Sequence, residues 1–189
     1  SSIDSTQWKM GFGTAMQTKI TPTLTIENLH TYFFQKQSVG KAVNGISLQV
    51  APGEIVALVG ESGSGKTVTA LSVMRLVPYP GRIVEGTIRL EGVDLSALSD
   101  QEIRQTRGKD IAMVFQDASS ALNPILTVGE QMRETLDAHL ELTRTEADRL
   151  CVLLLEQMDL PDAKQLMNRY TFQISGGMAQ RVMLAMALA

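Results

Sequence analysis

The run Glu54-Ile55-Val56-Ala57-Leu58-Val59, followed at once by Gly60-Glu61-Ser62-Gly63-Ser64-Gly65-Lys66-Thr67, constrains this chain more than any other stretch. A near-continuous apolar run reads as a strand covered on both faces, the pattern of a central strand in a parallel sheet. Ala51-Pro52-Gly53 before it is a turn signal. After the glycines, Val68, Leu71, Val73, Met74 and Leu76 stand at spacings that a packed helix uses, and Pro78 and Pro80 end it. A strand, a glycine-rich loop and a helix in that order point to an α/β fold.

The loop fits G-x-x-x-x-G-K-[ST] at every fixed position. A backbone that wraps a triphosphate adopts angles that a side chain forbids and brings its amide N–H groups close to the oxygens, which explains Gly60, Gly63 and Gly65. Glu61, Ser62 and Ser64 complete the cradle. Lys66 adds a mobile positive charge for the β and γ phosphates, and the Thr67 hydroxyl can ligate Mg²⁺. The alternative, a chance Gly/Ser turn, does not account for the whole pattern in this context.

Composition excludes several classes without naming a partner. The 189 residues are 44% hydrophobic, enough for a core in one domain of ordinary size. With a net charge of −3 and 20% charged residues of mixed sign, the chain offers no single-sign field for nucleic acid or lipid headgroups. No run reaches the roughly 18 apolar residues of a membrane span. The single cysteine, Cys151, lies in an apolar run and reads as a core thiol in a reducing, cytoplasmic setting.

Residues 1–20 show neither helical nor strand periodicity and read as a loose leader or an appended, non-native segment, with Met10 or Met16 as alternative starts. From Leu24 onward, apolar clusters around Leu29, Tyr32-Phe33-Phe34, Ala42-Val43 and residues 46–50 predict short antiparallel strands. Residues 86–90 predict a further strand, and Ile111-Ala112-Met113-Val114-Phe115 another buried one. The remainder is helical in character. Thr145 is the expected cap of a helix with Asp148 reaching back to it, and Leu150, Leu153, Leu154 and Met158 form the expected apolar face.

Thr171-Phe172-Gln173-Ile174-Ser175-Gly176-Gly177-Met178-Ala179-Gln180-Arg181 precedes an apolar helix, with Ser175 placed to cap it. Alone this reads as an ordinary capped helix. Together with the first loop it resembles the ABC ATPase family, in which a Walker A loop and an LSGGQ-type signature occur in this order around a helical subdomain. ISGGM departs from that form at Ile174 and Met178. The segment Ser119-Ser120-Ala121-Leu122-Asn123-Pro124, the SGGM-type signature and residues 182–188 look like the branch that serves dipeptide, oligopeptide, glutathione or nickel importers.

The resemblance implies a P-loop NTPase fold: a RecA-like parallel core with an N-terminal antiparallel β subdomain and a helical subdomain, C-terminally incomplete. It divides the chain into an antiparallel subdomain and nucleotide-binding core over 21–116, a helical subdomain over 117–174, and a signature helix over 175–189. ATP and Mg²⁺ are the implied cofactors. Gln116, at the Q-loop position, joins Thr67 as a metal contact, and Ser175, Gly176 and Gly177 act in trans on nucleotide held by a second ATP-binding subunit, identical or not. The implied partners are transmembrane permease subunits, and through them a solute-binding protein, with the chain peripheral on the cytoplasmic face of the inner membrane. Phe33, with Tyr32 second, is the aromatic assigned to the base; strand packing suits either equally.

Hydrolysis in this family also needs an apolar strand ending in Asp-Glu beyond the signature, then a switch histidine. No Asp-Glu pair occurs in these 189 residues, and neither His30 nor His139 has the required place. Asp110 and Asp117 flank a predicted strand without standing where the water-activating carboxylate stands. The expectation is therefore an energy-coupling, MgATP-binding subunit truncated before Walker B, without turnover of its own and weakly stable in isolation. A soluble non-transport ABC ATPase of DNA repair or translation is the alternative; a P-loop kinase is argued against by Ser175-Gly176-Gly177.

Overall fold

In the computed structural model, which describes residues 21–189 with the side chains of residues 119 and 120 left aside, the first apolar stretches form two long paired strands. The leader assigned to residues 1–20 lies outside the described residues. Strands β1 (Leu24–Phe34) and β2 (Val39–Val50) run antiparallel, and β1 also pairs with β3 (Gly81–Leu90), which carries the short β4 (Val93–Asp94). The sheet order is β2-β1-β3-β4. The clusters expected as several short strands are thus two continuous ones, because irregularities in register around Asn28 absorb the breaks in alternation. There Asn28 takes a positive φ of 48°, and Gly86 on the facing strand leaves the room that Asn28 and Leu29 fill.

Helix α1 (Lys66–Val73) lies on this sheet and stops ahead of Pro78, as the sequence predicts. Ser72 donates to the Val68 carbonyl at 2.7 Å, which leaves Thr31 to donate to Ser72 at 2.8 Å inside the buried layer. Ile26, Leu29, Val43, Val73, Ile88, Leu90, Leu95 and Ile103 form one core; the last belongs to α2 (Asp100–Thr106). Arg107, just past α2, donates to the carbonyls of Met74 and Arg75 and so closes the C-terminal end of α1.

A second core is helical. It gathers α3 (Ala118–Ala121), α4 (Val128–Asp137), α5 (Arg144–Gln157), α6 (Ala163–Leu166) and α7 (Gly176–Ala187) around Val128, Met132, Leu136, Cys151, Leu155 and Val182. Burial pushes the Cys151 thiol up to about 11, so it behaves as the packed core group the sequence implies.

Three expectations require correction. Residues 54–59 form no strand, and Ile55 and Val59 are 97% and 88% exposed. Residues 111–115 likewise form no ladder beyond an isolated parallel bridge between Arg107 and Ile111, and Phe115 is exposed. A parallel strand exists only through its neighbours, and among the described residues neither run forms a ladder with another strand. The start of α5 is the third: Thr143 caps it and Glu146 reaches back, two residues ahead of the expected pair, while Asp148 binds Arg133 at 2.7 Å. Its buried face is accordingly Ala147, Cys151, Leu154 and Leu155, with Leu153 exposed.

The same reciprocal cap opens α2 through Ser99 and Glu102 and α4 through Thr127 and Glu130. Hydrogen bonds from the cap hydroxyl and amide hold Glu102, Glu130 and Glu146 below the ordinary value of 4.5. A carboxylate with a depressed folded pKa contributes stability above its unfolded pKa and loses it as pH falls through the folded one. Helicity followed by circular dichroism should therefore fall on acidification below 4.5. The Glu146→Gln variant should show less of that acid-dependent loss.

Candidate nucleotide site

Residues 60–67 form a tight loop that ends in the first turn of α1. Ser64 donates its N–H to the Glu61 carbonyl at 3.2 Å, and Gly63 and Gly65 take φ of 81° and 91°. Gly65 caps α1 and is pressed against the Ala42 carbonyl of β2, so closely that any Cβ would overlap it. A Cβ at Gly60 would come within 2.6 Å of Ser64 Oγ. Glycine is thus required here by angle at Gly63 and Gly65 and by space at Gly65, whereas at Gly60 a turn of the Ser64 hydroxyl makes room.

Lys66 folds back over the loop. Its Nζ donates to the carbonyls of Gly60 at 2.8 Å and Glu61 at 2.7 Å and to Ser64 Oγ at 3.3 Å. Thr67, one residue on, is exposed. Both line a cleft of about 740 Å³ whose opposite wall is Met113, Val114, Phe115, Gln116 and Asp117. The glycine-rich loop and Gln116 lie about fifty residues apart in the chain, and the fold brings them together across one opening. Leu58, Val114 and Phe115 supply apolar walls of the cleft.

Ser175, Gly176 and Gly177 do not line that cleft. Ser175 Oγ accepts from the Met178 N–H at 3.3 Å and caps α7, while both glycines are exposed and face open space. Ile174 and Met178, the two departures from the signature form, pack against the helical core. Phe33 is half-buried with its ring against Gly81, and Tyr32 donates to Asn44 at 2.9 Å; neither lines the cleft. His30 sits in a surface network with Tyr32, Asn28 and Asn44.

Residues 43–189 match the ABC transporter family. The chain belongs to that family. Among curated members, the oligopeptide transport ATP-binding protein AppD of Bacillus subtilis (strain 168) is 44% identical over 167 residues, covering 88% of this chain and 51% of that protein. The probable D,D-dipeptide transport ATP-binding protein DdpD of Escherichia coli (strain K12) is 46% identical over 169 residues, with 89% and 52% covered. The glutathione import ATP-binding protein GsiA of Escherichia coli O1:K1 / APEC is 44% identical over 172 residues, with 88% and 28% covered. The chain therefore spans about half the length of the first two and less of the third.

The fold agrees. A dimeric structure of MJ0796, described as a bacterial ABC transporter cassette, superposes with a TM-score of 0.77 at 26% identity, covering 88% of this chain and 69% of that one. The same cassette in a post-hydrolysis dimer bound to ADP and Pi gives 0.74 at 25% identity, with 88% and 69% covered. In this ABC family member the fold is that of a P-loop ATPase cassette, whose described part is an antiparallel sheet joined to helices.

Sequence reading misses the polar clamp behind the Asn123-Pro124 segment. Buried Gln131 accepts from the Asn123 N–H at 2.8 Å and donates to the carbonyls of Asn123 and Leu126, both at 3.1 Å. Thr171, at the entry to the signature segment, donates to the same Asn123 carbonyl at 3.3 Å. The segment that follows Gln116 is thereby tied to the one that precedes Ser175. A lone glutamine on an amphipathic helix carries no signal for this role.

Proposed function

We propose that this chain is the ATP-binding, energy-coupling subunit of an importer for peptides or related small solutes. The observation that carries the reading is the shared cleft of Lys66, Thr67 and Gln116. The relatives named for oligopeptide, dipeptide and glutathione transport favour an importer over a non-transport ATPase.

The loop fits a nucleoside triphosphate. Two of its glycines hold positive φ, and one of these, Gly65, leaves space only for hydrogen, so its backbone can approach phosphate oxygens closely. Lys66 already directs its ammonium across the loop, and the first turn of α1 adds the positive end of its dipole. Thr67 and Gln116 are the residues that would hold Mg²⁺, which when bound neutralises charge on the phosphates. Phe33 is proposed as the surface for the base, through the part of its ring left outside its contact with Gly81.

Ser175, Gly176 and Gly177 then serve a second ATP-binding subunit, since they are open and lie off the cleft. No described helix is long and apolar enough to cross a membrane; attachment to the cytoplasmic face is proposed to come through permease subunits. These 189 residues contain no Asp-Glu pair. This polypeptide should bind MgATP without sustained phosphate release.

The metal assignment is tested by ATP affinity with and without Mg²⁺. Thr67→Ala and Gln116→Ala should each weaken binding roughly tenfold with the metal present and leave it nearly unchanged in chelator, about 1.4 kcal/mol per group. Equal losses in both conditions would show that the side chains act on nucleotide or loop and not on the metal.

A further inference from the structure

Away from the nucleotide cleft, α4, α5 and α6 border an open pocket of about 490 Å³. Arg133, Arg144, Arg149 and Lys164 line it, with Asp148 as the sole carboxylate, over apolar Val152 and Met167. Positions 144, 148, 149 and 152 follow the three- and four-residue steps that place side chains on one flank of a helix. The local charge is therefore strongly positive in a chain whose net charge is −3.

Asp148 is already committed to Arg133 at 2.7 Å, and that arginine side chain is only 16% exposed. Arg144, Arg149 and Lys164 make no ion pair among the described residues. Glu130, which accepts the cap hydrogen bonds of Thr127 and stays ionised, is a counter-charge for Arg144 on the α4 side. Arg144 also borders the neighbouring hollow that Glu130, Glu134 and Asp137 line, which leaves exposed Arg149 and Lys164 as the cations that an anion bound in this pocket would neutralise.

We propose that this pocket is a second ligand site, for a phosphate-bearing small molecule about the size of a mononucleotide. Guanidinium groups match phosphate oxygens as paired donors, and Lys164 supplies a point charge. Val152 and Met167 offer the apolar floor that an organic anion uses and that free phosphate does not. An open pocket of this volume, bordered by three helices, has room for one compact ligand.

The test uses the full chain carrying Lys66→Ala, so that the loop at residues 60–67 does not contribute. Titration calorimetry with adenosine monophosphate and with pyrophosphate should each show saturable binding of one molecule per chain, the nucleotide tighter. Arg149→Glu with Lys164→Glu should lower both affinities by at least about tenfold. Arg82→Glu, on β3 over the ring of Phe34, should change neither. Lys164→Ala is the milder variant if the double reversal lowers the melting temperature. Absence of saturable binding, or binding indifferent to Lys164→Ala and the double reversal, would overturn the site. Tighter binding by a poly-glutamate peptide would overturn the small-molecule assignment in favour of an acidic protein partner.

Discussion

Lys66→Ala should weaken MgATP binding by at least about a hundredfold, roughly 2.7 kcal/mol. Hydrogen bonds from a charged donor contribute about 1.5–3 kcal/mol each, and this ammonium also supplies the positive charge at the loop. Lys66 bridges the Gly60 and Glu61 carbonyls at 2.8 and 2.7 Å, so its loss also loosens the loop itself. Lys66→Arg should recover only part of the affinity, because a planar fork does not replace a compact ammonium between two carbonyls. Displacement of a fluorescent ATP analogue measures both variants. Binding by Lys66→Ala within a few-fold of the parent would remove residues 60–67 as the phosphate site.

Gly65→Ala should be the more damaging change to the fold. At φ 91° an alanine loses about 1–2 kcal/mol to the left-handed conformation, and its Cβ would overlap the Ala42 carbonyl. That carbonyl belongs to β2 at a break in register, between Val43 paired with Thr31 and Lys41 paired with Tyr32, so it can move aside only against the pairs on either side of it. The expected loss is about 3 kcal/mol or more in urea unfolding, with nucleotide binding lost as well. Gly63→Ala is the control: its φ is 81° but its Cβ would meet open space, so about 1–2 kcal/mol is expected. Equal losses at the two positions would mean that the Ala42 contact does not decide the requirement.

Legibility in the sequence follows the range of the interaction. The loop is readable because every group it needs lies within eight consecutive residues, and the same holds for Ser175 as the cap of α7. The α5 cap lies two residues from its expected place because Thr143-Glu146 and Thr145-Asp148 share one spacing, and propensity alone does not choose between them. What decides is Asp148, drawn away by Arg133 on another helix. The buried-strand reading of residues 54–59 and 111–115 fails for a related reason. An apolar run specifies a need for neighbours and does not supply them.

The residues themselves determined the glycine loop, the lysine and hydroxyl it presents, the signature segment and the family. These are short-range patterns whose physical requirements, positive φ, close backbone approach and a capped helix start, leave few residue types to choose from. Only the tertiary structure decided that Gln116 faces Lys66 and Thr67 across one cleft, that Gln131 and Thr171 clamp Asn123 between the two motifs, and that Arg149 and Lys164 from two helices line one pocket. Each joins residues distant in the chain. Their meeting depends on how helices and sheet pack, which local sequence patterns leave open.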